Sequence, residues 1–179
     1  RRVLFRSDRL EEYIDAGVDA FKIEGRMKSL YHAANTTRIY RHACRLAGTP
    51  EFQKMMPFWL GELDLVSHRP YTSDLFNEFG AMGGFNGVPY INKAVFLGYR
   101  DSGSDPADEI IMKTFNPVYK GDRVEAIYPI ENDVLDGNLT VVAITDPSGR
   151  EADMARPNTF CTVRFDGPVL RDAVFRKRI

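Results

Sequence analysis

Cysteine is scarce in this chain, with only Cys44 and Cys161 among 179 residues. The two form no redox or metal-binding spacing, which argues against a disulfide framework and points to a reducing compartment. Histidine is almost as sparse. His32, His42 and His68 are scattered, and there is no serine elbow, metal-ligating histidine pair or Cys–His pairing to support peptidase chemistry. No apolar run reaches the roughly 20 residues needed to cross a bilayer. No secretory signal precedes Asp8, so a cytoplasmic protein is expected and no membrane partner. An excess of one charge is also missing. The chain has 24 basic and 25 acidic residues, a net charge of −1, so composition gives no support for nucleic-acid binding. Residues 1–48 carry 10 basic and 6 acidic groups, residues 49–106 carry 4 and 7, and residues 107–179 carry 10 and 12. There is no internal repeat and no low-complexity tract. An initiator methionine is absent too, and Arg1 to Ser7 matches one translated frame of a common sequencing-adapter end. Residues 1–7 are therefore expected to be foreign, and the natural chain to be truncated upstream.

What is present suffices for a core, with 44% hydrophobic and 12% aromatic residues. Asp8 followed by Glu11 makes a capping pair, Leu10, Tyr13 and Ile14 have helical spacing, and Gly17 stops that helix. A strand is expected over Val18–Glu24. Ser29 then caps a helix to about Ala47, with an apolar stripe of Ala33, Thr37, Tyr40, Cys44 and Ala47 and with Gly48 at its end. Thr49-Pro50 breaks this pattern. Glu51 to Val66 has helical composition, with Phe52, Met55, Met56, Trp59, Leu60 and Leu63 on one face and a kink or restart expected at Pro57. Residues 67–89 read as a connector rich in glycine and aromatics. Beyond Tyr90 come five short strand signals, at 91–100, 109–114, 123–128, 139–145 and 159–165, separated by turn residues. They suggest a small antiparallel β-barrel over residues 90–170, followed by a basic tail at 171–179.

The segment from Val18 to Lys28 carries the most chemistry. As a strand it places Val18, Ala20, Lys22 and Glu24 on one face and Phe21 and Ile23 on the other. Arg26 and Lys28 follow at its end. An apolar strand with a charged tip is what a barrel strand looks like when its mouth holds a polar site.

The run Ile14-Asp15-Ala16-Gly17-Val18-Asp19-Ala20-Phe21-Lys22-Ile23-Glu24-Gly25-Arg26-Met27-Lys28-Ser29 resembles the distal half of the peptidase U32 family domain, also known as collagenase-like protease. Val66 to Thr72 resembles the segment following that domain. Tyr119 to Glu125 with Tyr128-Pro129, and Ala155 to Phe165, resemble its C-terminal barrel. The branch carrying that barrel is similar to the tRNA 5-hydroxyuridine synthesis proteins. The resemblance implies an α/β fold followed by an all-β one. Residues 8–48 would be the distal helix–strand–helix piece of a TIM-like barrel, residues 49–89 a connector, and residues 90–170 the β-barrel. It also implies tRNA as partner, an iron–sulfur cluster held by cysteines, and prephenate as hydroxyl source. Neither Cys44 nor Cys161 matches the cluster cysteines, which would lie upstream, so no cofactor or metal site is expected in this chain.

Lys22, Glu24 and Arg26 are the candidate catalytic residues. Lys22 or Arg26 can hold an anionic group, and Glu24 can accept a proton or orient a cation. A structural ion-pair network is the competing account of the same charges. Lys28, Arg69, Lys93 and Arg123 are the candidate RNA contacts. Arg38, Arg41 and Arg45, with His42 beside them, form a stripe read as the solvated side of an outer helix, and Cys44 and Cys161 read as small core residues. In the β-region Lys93, Arg100, Lys113, Lys120 and Arg123 are available to phosphate and Phe96, Tyr99 and Phe115 to bases, although barrel filling explains the aromatics as well. The function expected is hydroxylation of wobble uridine in tRNA by the parent protein, the fragment alone being inactive. A U32-type peptidase and a noncatalytic RNA- or protein-binding barrel are the alternatives.

Overall fold

A computed structural model describes residues 9–25, 28–68, 91–101, 107–130 and 137–179. The suspected foreign residues and most of the glycine-rich connector lie outside these. The chain divides into two units, Arg1–Lys93 and Ala94–Ile179.

The first unit is helical. Helix α1 spans Leu10–Asp15, α2 Leu30–Leu46 and α3 Pro50–Asp64. Gly17 ends α1 as expected, taking the left-handed φ of +83° that glycine reaches without a Cβ clash. Asp8, half of the expected capping pair, lies outside the described residues. Its partner Glu11 instead accepts hydrogen bonds from Gly48 N at 2.9 Å and Gln53 Nε2 at 3.2 Å, tying α1 to the turn between α2 and α3. Ser29 caps α2 as expected, accepting from His32 N at 3.2 Å. Helix α3 runs without interruption through Pro57, which sits at an exposed position.

Two expectations fail here. Val18–Glu24 is not a strand. A strand exists only through backbone pairing with a neighbour, and among the described residues none pairs with 18–25. The segment is irregular and leaves Val18, Phe21 and Ile23 exposed. The buried face of α2 is also not the one expected. Tyr31, His32, Asn35, Thr36, Arg38, Ile39, His42 and Ala43 face inward, whereas Ala33, Thr37 and Cys44 face solvent. The reason is polar. Arg38 forms an ion pair with Glu62 of α3, both side chains being only 6% exposed. Asn35 bridges them, donating to Glu62 O at 2.8 Å and accepting from Arg38 Nε at 2.8 Å. Trp59 fills the remainder, donating Nε1–H to His42 Nδ1 at 3.2 Å and standing edge-on to Phe52 at 5.1 Å. A matched buried network outweighs the small apolar gain that the Ala33–Cys44 stripe offers.

The second unit is antiparallel β. Its strands are β1 (Ala94–Arg100), β2 (Ala107–Thr114), β3 (Val118–Tyr119), β4 (Arg123–Ile127), β5 (Gly137–Thr145), β6 (Glu151–Ala152), β7 (Met154–Ala155), β8 (Phe160–Val169) and β9 (Val174–Arg178). The main sheet has the order β4-β9-β1-β2-β8-β5-β6. Because β4 also pairs with β5, six of these strands return on themselves in a closed ring of hydrogen bonds. Alternation along β2 and β8 sends Ile110, Met112, Cys161, Val163 and Phe165 to the core. Inside, Phe165 and Phe175 stack at 5.1 Å.

The expected basic tail is instead β9, paired on both sides. Its charges have partners. Arg176, 1% exposed, donates Nε–H to Glu125 at 2.6 Å, Arg178 pairs with the same carboxylate, and Lys177 pairs with Asp122. Gly98 lies at a register shift between β1 and β9. A Cβ there would stand 2.1 Å from Lys113 O and 2.9 Å from Met112 Cε, so only glycine lets β1 cross β2 at this point.

Two stability measurements check this account. Glu62→Leu strands Arg38 without its counter-charge and is expected to destabilise the first unit by about 3–5 kcal/mol. Urea unfolding followed by the fluorescence of Trp59, the sole tryptophan, reads that unit; a loss under about 1 kcal/mol would contradict a buried, matched pair. Gly98→Ala is expected to cost the β-unit at least about 2–3 kcal/mol, read as a lower midpoint in the far-ultraviolet β signal, and an unchanged midpoint would contradict the close approach.

Candidate functional site

The loop that follows α1 carries the charges singled out in the sequence. Its start is fixed to the helix. Val18 N donates to Tyr13 O at 3.0 Å, and the Phe21 ring meets the Tyr13 ring edge-on at 6.4 Å. Lys22 and Glu24 form an ion pair at 3.1 Å, with side chains 85% and 59% exposed. Such a pair is worth little to stability, and both groups remain accessible to a ligand. Arg26 lies outside the described residues. At the loop's end, Lys28 N donates to Gly25 O at 2.9 Å, and Lys28 Nζ donates to Ser67 O at 3.0 Å. That bond fastens the loop to the segment just beyond α3.

His32 is the residue that sequence reasoning missed. It sits one turn into α2, buried and 7% exposed. Its Nδ1 is buried with no hydrogen-bond partner, alone in this among the side-chain polar atoms described. The Cδ2–Nε2 edge faces the loop: a Cβ on Gly25 would lie 3.4 Å from Cδ2, 3.8 Å from Nε2 and 3.9 Å from the Lys28 Cβ. Burial, followed by the positive charge of Lys28, holds the His32 pKa below its ordinary value near 6.5. The imidazole is therefore neutral at physiological pH. The spacing Gly25-Arg26-Met27-Lys28 followed by a histidine one helical turn later was visible in the sequence, but periodicity gave no reason to separate His32 from a packing residue.

The other candidates are dispersed. Arg69 lies outside the described residues. Lys93 pairs with Asp64, and that hydrogen bond, aided by His68 at 3.2 Å, holds the Asp64 carboxyl below its usual range. Arg123 is exposed on β4, opposite Thr140. Arg100 is buried and donates to Val169 O at 2.7 Å. Lys113 donates to Asn158 O at 2.8 Å and lies over the Phe160 ring at 4.5 Å, and Lys120 pairs with Glu151 at 3.1 Å. Phe96 stacks on Phe115 at 5.0 Å with Tyr99 beside them. The β-unit has 11 basic and 14 acidic residues, an acidic balance that does not favour a phosphate backbone. On α2, Arg38 leaves the expected solvated stripe for the core, while Arg41 and Arg45 stay exposed.

The cysteines do not suit an iron–sulfur cluster, which needs converging thiolates. Cys44 is exposed on α2, contrary to expectation, and Cys161 is buried in β8, its thiol pushed up to about 11 by burial. Among the described residues no three His, Cys, Asp or Glu side chains gather into a metal site. No helix among the described residues is long and apolar enough to cross a membrane.

Comparison with known proteins agrees with the family resemblance. Residues 2–81 match Peptidase family U32. The chain is 27% identical over 182 residues to the tRNA hydroxylation protein P1 of Bacillus subtilis, covering 94% of this chain and 40% of that protein. It is 38% identical over 65 residues to the tRNA hydroxylation protein P of Haemophilus influenzae, covering 35% of this chain and 13% of the relative. The C-terminal domain of a putative U32 peptidase from Geobacillus thermoleovorans aligns with a TM-score of 0.39 and 23% identity, over 47% of this chain and 91% of that domain. The chain thus spans less than half the length of the curated relatives it matches.

The position of His32 has a pH signature. A lowered folded pKa means that the unfolded chain takes up the proton first, so its contribution to stability is complete above about pH 6.5 and falls as pH drops toward the folded value. Wild type is expected to lose more stability between pH 7 and pH 5 than His32→Gln does, by the Trp59 fluorescence assay. Parallel pH curves for the two would contradict a buried neutral imidazole.

Proposed function

We propose that this chain, with its U32 match over residues 2–81, is part of an RNA-modifying enzyme that hydroxylates wobble uridine of tRNA to 5-hydroxyuridine. One observation carries the reading: the likeness to a protein named for tRNA hydroxylation extends over 94% of this chain and so takes in both units. A family match confined to the first unit would leave the β-unit unexplained.

On this reading residues 8–48 are the distal end of a TIM-like barrel, and Val18–Glu24 becomes a strand when neighbouring strands pair with it. The exposed Val18, Phe21 and Ile23 support that, because apolar side chains of a barrel strand need a covering layer. We read the six-strand ring as the small β-barrel, supported by the pairing of β4 with both β9 and β5. Lys22 and Arg26 hold an anionic group of the substrate, and Glu24 accepts a proton or orients a cationic partner. The iron–sulfur cluster and the prephenate implied by the resemblance are assigned to residues other than those of this chain, and tRNA is the partner.

The test is made in the full-length protein. Lys22→Ala and Glu24→Ala are each expected to lower 5-hydroxyuridine in tRNA by at least about 10-fold, measured by nucleoside mass spectrometry at matched protein levels. Losses under about twofold would remove the pair from the chemistry and return it to the role of a surface ion pair.

A further inference from the structure

We propose that the outer face of β1, β2 and β8 binds unpaired nucleotides of RNA, with Tyr99, Phe115 and Phe160 stacking on bases and with Lys113 and Arg156 supplying positive charge. The inference rests on the RNA reading given above and adds to it a docking surface and the unpaired form of the ligand.

Three observations lead to this assignment. The first is register. Tyr99 of β1 is the cross-strand partner of Lys113 of β2, and Lys113 is that of Phe160 of β8. Partners in a ladder share a face. Met112 and Cys161, one residue along, point into the core, so the three side chains line up on the outside. With neighbouring strands roughly 4.8 Å apart, the row spans about 10 Å. The second is the rings. Phe160 is 46% exposed and Phe115, just past β2, is 36% exposed. Phe115 lies 6.0 Å from Tyr99 and stacks on Phe96 at 5.0 Å, which extends the row. Its N–H donates to Leu97 O at 2.8 Å and fixes its place. The Lys113 ammonium stands 4.5 Å from the centre of the Phe160 ring and steadies it. Adjoining rings at a surface mark recognition where single scattered ones do not.

The third is charge. A cation stands in the middle of the row, and Arg156 is exposed beside it, its backbone carbonyl accepting from Thr114 Oγ1 at 2.6 Å. Asp101 and Glu109 stand further along, level with Ile111 and Arg164. Protein interfaces deplete lysine from their centres, whereas rings combined with cations hold single-stranded nucleic acid. Stacking needs no net positive charge, so it is compatible with the acidic balance of the β-unit.

The 179-residue chain is titrated by fluorescence anisotropy with a labelled oligouridylate and with an abasic oligomer of the same length. Wild type is expected to bind the uridylate at least about 10-fold more tightly than the abasic oligomer, and Tyr99→Ala and Phe160→Ala each to weaken uridylate binding about 10-fold. Phe160→Leu keeps an apolar side chain without the ring and is expected to bind as weakly as Phe160→Ala, and Phe160→Trp within about threefold of wild type. Phe160→Leu equal to wild type would make the face a site for apolar protein groups and overturn the proposal. Losses under about twofold in the alanine variants would also overturn it, as would equal affinity for the two oligomers, a comparison that needs no variant to fold. Bulk tRNA, titrated in parallel, separates the two levels of the argument. If tRNA binds wild type and the alanine variants equally, the RNA reading stands and this face falls. If wild type binds neither tRNA nor uridylate, both fall.

Discussion

The buried pair of Arg38 and Glu62 is the interaction on which the geometry of the first unit depends. It lies between α2 and α3, and with Asn35 it satisfies a backbone carbonyl of α3 as well as the charges. Two ions taken from water cost several kcal/mol, which only close and complete pairing offsets. That requirement fixes how α2 rotates against α3. His32 is buried on the same helix. Lys28 reaches Ser67 just beyond α3, while the start of the loop is held to α1 through Val18 N and Tyr13 O.

The β-unit has a comparable constraint of its own. Arg176 is buried in β9 and matched by Glu125 of β4, and the same two strands carry Ala126 opposite Phe175 in the core. Closure of the ring needs β4 to pair on both sides, and the charges on β9 are consumed in holding it there. The residues expected as a basic tail are therefore part of the sheet. The charges proposed to meet the substrate lie instead in the loop of the first unit, where Lys22 and Glu24 form an exposed ion pair.

Much of this was legible in the sequence, and the failures have physical causes. The turns were readable because Gly17 and Gly48 need left-handed backbone and Ser29 needs only its own hydroxyl. All five strands expected in the β-region exist, since alternation and turn residues are local signals. The strand at Val18–Glu24 was misread because its pattern is a strand's but its partners are not among the described residues. The face of α2 was misread because counting apolar residues weights Ala33 and Cys44 above Arg38, and nothing in the local sequence announces Glu62 as a counter-charge. β9 was read as a solvated tail for the same reason, since Arg176 is buried only because Glu125, far away in the chain, meets it. His32 could have been suspected from its position one turn after Gly25, but its orphaned nitrogen is a property of packing alone.

The central claim is that this chain serves tRNA hydroxylation, and the most direct measurement is nucleoside mass spectrometry of tRNA from cells lacking the gene, with and without its restoration. The account predicts that 5-hydroxyuridine and nucleosides derived from it disappear on deletion and return with the restored gene. Unchanged levels in the deletion strain, or no return when the restored protein is present and folded, would contradict it.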